Sequence, residues 1–275
     1  MAMHYAIEVV PYGIYSNPSN IVTLAQAAEV AGWEGLFVWD HLGYVSGIAS
    51  SDPFVVLAAV AATTSHLKLG VEITPLPRTR PHVLIQTLVS LDLLSGGRVI
   101  FGAGLGHVPE EFSLFGESAD LKQRAAKLDE GLEVLDRFMT GNQVSYHGEY
   151  YTIDNATLIP LPVQRPRIPI WIGGRSHPAL RRAARWDGWV MSGAGPGGMM
   201  KRTPEELIIK VSEIHRNRSD ANPFDVAISG YSTPDQIEIP LRYEFAGATW
   251  WLESLSEERG SMDAMMARVM AGPPV

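Results

Sequence analysis

The sequence predicts an α/β fold in the form of a closed (β/α)₈ TIM-type barrel, and three observations predict it. Short β-branched runs alternate with longer stretches of helical period, the pattern of repeated β-α units around a parallel sheet. Eight such runs occur along the chain. The chain is 275 residues long, close to the roughly 250 at which eight units close on themselves, whereas an open doubly wound sheet usually stops at about five or six strands.

The strand runs are "YAIEVV" (5–10), "GLFVWD" (35–40), "LKLGVEI" (67–73), "RVIFGAG" (98–104), "IPIWIGG" (168–174), "DGWVMSG" (187–193), "FDVAISG" (224–230) and "ATWWLES" (248–254). Between the fourth and fifth of these, Leu121, Ala125, Leu128, Leu132 and Leu135 fall on one helical face while Lys122, Asp129, Glu133 and Asp136 lie off it, so that face belongs to the core. Leu84, Leu88 and Leu91 repeat the pattern ahead of "SGGR", where Gly96-Gly97 supplies a helix end able to enter the left-handed region. One stretch departs from the plain repeat: "VSYHGEYYTI" (144–153) reads as a hairpin about a His-Gly turn, inserted between the fourth helix and the fifth strand. No repeat, linker or low-complexity segment divides the chain, and residues 1–275 read as a single domain.

Composition bounds the function. The formal charge is -8 and no run of five or more like charges occurs, so nucleic acid is not an expected partner. Cysteine is absent, which removes disulfides, thiolate nucleophiles and thiolate metal sites together. The start "MAMHYAIEVV" has no basic segment leading into an apolar one, and the longest apolar run, Phe54 to Ala62, is too short to span a bilayer. The expected setting is cytoplasmic, with no membrane partner.

In such barrels chemistry sits where strands end and βα loops begin. The second run ends in Asp40-His41, the third carries Glu72 and leads into "TPLPRTRP", the fourth ends in "GLGH" with His107, and the fifth ends in Gly173-Gly174-Arg175. A helix starting near Pro178 with Ser176 as its cap leaves the amides around Gly174 to Ser176 without intrahelical partners, and bare glycines let a ligand's oxygens approach the backbone. With Arg175 as a charge-assisted donor, and the positive end of the helix dipole behind it, the turn fits a phosphate. The competing reading is that the glycines only permit a tight turn, with Arg175 solvated like Arg181, Arg182 and Arg185 further along. His41 and His107 project toward one cavity, with Asp40 and Glu72 near enough to set their protonation. Asp40, His41, Glu72 and His107 also form a conceivable N/O metal set, but no tight His-x-His or His-Glu-x-x-His spacing supports it, and no metal is expected. "GAGLGH" lacks the acidic residue about 20 positions on that a dinucleotide site needs.

Taken together these stretches resemble the bacterial luciferase-like monooxygenase superfamily of flavin- and deazaflavin-dependent barrels. The resemblance is carried by "AEVAGWEGLFVWDH" (28–41), the run 69–106, "FGESADLKQRAAKLDEGLEVL" (115–135), "HGEYY" (147–151), "PVQRPRIPIWIGG" (162–174) and the tail 247–274. It implies FMN or the 5-deazaflavin coenzyme F-420 in the barrel mouth, ring inward and phosphate outward on Gly173, Gly174 and Arg175, with Gly104 and Gly106 also against the cofactor. The Asp40-His41 ending looks like the deazaflavin branch, where that His takes part in proton transfer. His107 stands where some of those enzymes carry a glutamate acid, a departure from the family pattern. The resemblance further implies a cis peptide at Glu72-Ile73 backing the ring, a small organic substrate, and a homodimer.

The leading expectation is therefore a flavin- or deazaflavin-dependent oxidoreductase or monooxygenase, with His41, His107 and Asp40 as the catalytic set. Two alternatives are a phosphate-binding barrel hydrolase or lyase, cofactor-free or metal-assisted, using the His pair as acid and base, and a flavin carrier without turnover. The glycine-rich segment 193–202 is expected to be either a mobile lid or a plain surface loop. Trp39, Trp250 and Trp251 are expected mainly in packing roles, with one of them able to wall a flavin.

Overall fold

The computed structural model describes residues 3–195 and 199–274. Eight parallel strands close a barrel: β1 (His4–Val9), β2 (Gly35–Val38), β3 (Lys68–Pro75), β4 (Val99–Gly104), β7 (Ile170–Gly173), β8 (Gly188–Ser192), β9 (Asp225–Gly230) and β10 (Trp250–Leu255). The ring runs β1-β10-β9-β8-β7-β4-β3-β2, and each strand falls within one or two residues of an expected run; β2 stops two residues early, leaving Trp39 and Asp40 in the following loop. The expected hairpin is present as the antiparallel pair β5 (Val144–His147) and β6 (Thr152–Ala156).

Helices surround the barrel, and their starts follow from local sequence. In α1 (Pro18–Val30), α2 (Pro53–Thr63) and α7 (Pro204–Asn217), a capping side chain from Asn17, Asp52 or Thr203 precedes a proline at the first helical position, where its missing N–H costs nothing. Asp120 caps α5 (Leu121–Met139) through Gln123 N, Ser176 caps α6 (His177–Ala183) through Ala179 N, and Ser261 caps α9 (Met262–Met270). Between them lie α3 (Pro81–Ser95), which ends at a left-handed Gly96, the single turn α4 (Glu110–Ser113), and α8 (Glu238–Phe245). No helix among the described residues is long and apolar enough to cross a membrane.

On α5 the expected face is buried at Leu128, Leu132 and Leu135. Leu121, the first residue of the helix, is not: it is 61% exposed. The hairpin rests on the same helix, since the Glu130 carboxylate accepts from the amides of Glu149 (2.8 Å) and Tyr150 (3.0 Å).

Two apolar layers result. Sheet and helices enclose the larger one, which holds Ile7, Leu36, Leu69 and Ile172. The second lies inside the barrel, where alternate residues point inward. There Phe37 stacks on Trp171 at 5.2 Å, and Trp250 meets the edge of each. These three rings fill the lower barrel and leave the strands' carboxyl end as the place where a ligand can enter. Trp251 is fully buried beside them in the sheet–helix layer.

Candidate active site at the barrel mouth

A cavity of about 420 Å³ opens at that carboxyl end, within the range of small-molecule sites. It gathers Asp40 and His41 after β2, Glu72 and Ile73 in β3, Gly106 and His107 after β4, and Gly173, Gly174 and Arg175 at the end of β7. Gly104 lies off it. A Cβ on Gly104 would meet Ile73 Cδ1 at 2.0 Å, and one on Gly173 would meet it at 2.5 Å. The bareness of these positions therefore seats the Ile73 side chain, and Gly104 acts on the cavity only through that contact. The Glu72-Ile73 peptide is cis.

On the β7–β8 side the mouth is cationic. Gly174 has a φ of +114°, a conformation that side chains other than glycine's rarely adopt, and its carbonyl accepts from Trp189 Nε1 at 2.7 Å. That pins the turn from behind. Arg175, Lys201 and Arg202 line the cavity beside it. The helix dipole expected to assist is minor here, because α6 has only seven residues; Arg175 and Arg202 lie 3.7 and 3.6 Å from the Glu206 carboxylate, so the field for an anion is that of the three cations less this one negative charge. Arg182 is not solvated as expected: it is buried and grips both oxygens of Asp129 at 2.8 and 2.7 Å, while Arg185 adds a third bond at 2.7 Å. Burial pushes the Asp129 carboxyl up, but the two guanidiniums more than offset it and leave it below its ordinary value. The turn's helix is thereby docked on α5.

The opposite side is built around a carboxylate that sequence reading missed. Glu111 Oε1 lies 2.8 Å from His41 Nδ1 and accepts from Leu42 N at 2.9 Å, and Oε2 takes Arg78 Nη1 at 2.5 Å. Arg78 Nη2 reaches Asp40 Oδ1, also at 2.5 Å. Asp40, Arg78, Glu111 and His41 are thus one chain of charge-assisted bonds. Burial pushes Asp40 up to about 6, with Arg78 pulling the other way. Of the two missed residues only Arg78 stood in a stretch that sequence reading had marked, "TPLPRTRP"; Glu111 lies four residues past His107, between the marked stretches. The only signal for either was an acid and a base placed just beyond strand ends.

Glu72 does not set the protonation of the histidines as expected. Its partner is Glu8 of β1, and burial drives both carboxyls upward. His107 is exposed and lines the same cavity as His41 without a hydrogen-bond partner among the described residues. Trp39 also lines the cavity and donates to Glu8 Oε1 at 2.6 Å. Of the glycine-rich segment expected as a lid, Pro196, Gly197 and Gly198 lie outside the described residues; an Ala194–Met200 bridge joins the stretch around them.

A closed barrel with a glycine-arginine turn on one side of its mouth and a braced histidine on the other has the architecture of a TIM-barrel enzyme. Residues 3–236 match the model of the luciferase-like monooxygenase family, and the chain belongs to that family of oxidoreductases. It is 30% identical over 225 residues to an uncharacterised protein of Mycobacterium tuberculosis, covering 75% of each chain. It is 36% identical over 186 residues to an F-420-dependent glucose-6-phosphate dehydrogenase of Nakamurella multipartita, covering 65% of this chain and 54% of that one. In fold it is similar to the structure of an F-420-dependent secondary alcohol dehydrogenase, with a TM-score of 0.81 at 19% identity, covering 99% of this chain and 100% of that one.

Proposed function

We propose that the chain is a deazaflavin-dependent oxidoreductase that exchanges hydride with a small organic substrate in the barrel mouth. One observation carries the reading: a single cavity joins the Gly173-Gly174-Arg175 turn to the His41–Glu111 pair. The residues fit a phosphorylated ring cofactor. Arg175, Lys201 and Arg202 suit its phosphate; Ile73, Val190 and Met191 offer an apolar bed for a planar ring; Glu72 and His41 offer polar groups to its edge or to substrate. The Asp40-His41 pair and the relatives named for F-420 favour the deazaflavin over FMN.

When bound, such a ring accepts or supplies hydride. The chain's own work is to hold it, exclude water and manage a proton. With Nδ1 turned to the Glu111 carboxylate, His41 carries its proton there and keeps Nε2 as the acceptor for a hydroxyl proton of substrate. The tautomer is assigned from that bond. In the reverse direction the protonated His41 imidazole returns the proton to the substrate oxygen.

Titrating the protein with F-420 and with FMN, followed by fluorescence, tests the reading. Tighter binding of F-420 supports it. Retention of neither chromophore overturns it, and a preference for FMN turns it toward oxygen insertion. We further propose a homodimer, supported by an apolar face on α2 and α3 where Val55, Val83 and Leu94 are 61%, 54% and 52% exposed.

A further inference from the structure

Beneath the cavity floor lies a polar group of side chains that the proposed chemistry does not use. We infer that Glu8 and Glu72 form a carboxyl dyad that holds one proton between them at neutral pH, directly beneath the occupant of the mouth. The inference deepens the functional reading above and rests on it only for the identity of that occupant.

The geometry comes first. Register places Glu8 beside Phe37 of β2, and Phe37 beside Gly70 of β3. Since alternate residues share a face, Glu72 stands one inward position nearer the rim than Glu8. Accordingly Glu8 is fully buried, while Glu72 is 9% exposed and lines the cavity. Below them the Phe37, Trp171 and Trp250 rings close the barrel to water.

The surroundings then fix the protonation. The groups acting on Glu8 are Trp39 just after β2, Ser229 of β9, Ser254 of β10 and Glu72; the group acting on Glu72 is Glu8. Every one is neutral or acidic, so no cation among them offsets two carboxylates. Two negative charges in such a place repel, and desolvation disfavours each. Both carboxyls are raised, Glu72 well above the ordinary carboxylate range. Glu8 Oε1 already accepts from Trp39 Nε1, which favours charge on Glu8. Glu8 Oε2 and Glu72 Oε2 are both buried with no other partner among the described residues. A proton held between the two carboxyls accounts for both atoms at once.

Infrared difference spectroscopy on the cofactor-free full chain tests the dyad directly. At pH 8 Asp40, whose own carboxyl sits at about 6, is ionised and does not interfere. The wild type should show a protonated-carboxyl C=O band that disappears only at more alkaline pH. Glu72→Gln should abolish it, and Glu8→Gln should keep it with a midpoint lowered by about one pH unit or more. Absence of the band in wild type at pH 8, or its survival in Glu72→Gln, overturns the dyad. Failure of the wild type to bind F-420 or FMN overturns the functional reading and leaves the infrared result to decide the dyad alone.

Discussion

His41 Nδ1 lies 2.8 Å from Oε1 of Glu111, seventy positions away along the chain, and the same carboxylate holds Arg78 through its second oxygen. An imidazole braced in this way keeps one tautomer and one orientation, and removing the brace should cost the proton step more than binding. In Glu111→Gln, kcat should fall about 10²-fold while the cofactor Kd stays within about threefold. His41→Ala should keep cofactor and lose roughly 10²–10⁴ in turnover. Equal loss of binding and turnover in both variants would show the pair to be structural.

Asp40 gives the site a pH dependence. Its folded value of about 6 lies above the ordinary aspartate value of about 3.9. The sign follows: protonation favours the fold, so the contribution of Asp40 to stability is full below about pH 4 and is lost as pH rises through about 6. Denaturation of wild type against Asp40→Asn should therefore swing about 2–3 kcal/mol in the variant's favour between pH 4 and 7, then run flat. In activity, the wild type should lose rate below about pH 6, where the Arg78–Asp40 pair loses its charge. Asp40→Asn should lack that limb.

The seating of Ile73 is testable by a double-mutant cycle. Gly104→Ala would place a Cβ 2.0 Å from Ile73 Cδ1 and should cost about 1–3 kcal/mol by overpacking. Combined with Ile73→Ala, the same glycine change should become nearly free, a coupling visible in urea unfolding. Additive costs would mean that the steric contact is relieved in another way.

Asp129 is half-exposed, but its partner Arg182 is buried. Asp129→Asn should destabilise by about 2 kcal/mol, below the full 3–5 kcal/mol of a wholly buried pair because solvent screens the carboxylate. As α6 loosens, affinity for the cofactor's phosphate end should drop with it. Unchanged affinity would show that the Gly173-Gly174 turn holds its shape without the helix.

Val83→Glu on the exposed face of α3 should turn a dimer into a monomer in sedimentation, since a charge in an apolar interface is left unpaired. A wild type that sediments as a monomer removes the homodimer.

The sequence by itself determined the barrel and most of the mouth. Short β-branched runs mark strands, and in a closed parallel barrel every strand's carboxyl end meets the same rim, so Asp40, His41, Ile73 and the Gly173–Arg175 turn were bound to converge. Cap-proline pairs such as Asp52-Pro53 fixed helix starts for equally local reasons. Only the tertiary structure decided the partners. Glu111 and Arg78 reach His41 from two other loops, Glu8 meets Glu72 across an intervening strand, Arg182 finds Asp129 on another helix, and Gly104 yields its space to Ile73. Such contacts depend on strand register and barrel tilt, which sequence spacing does not encode, and so a residue's type and rim were legible while its neighbour was not.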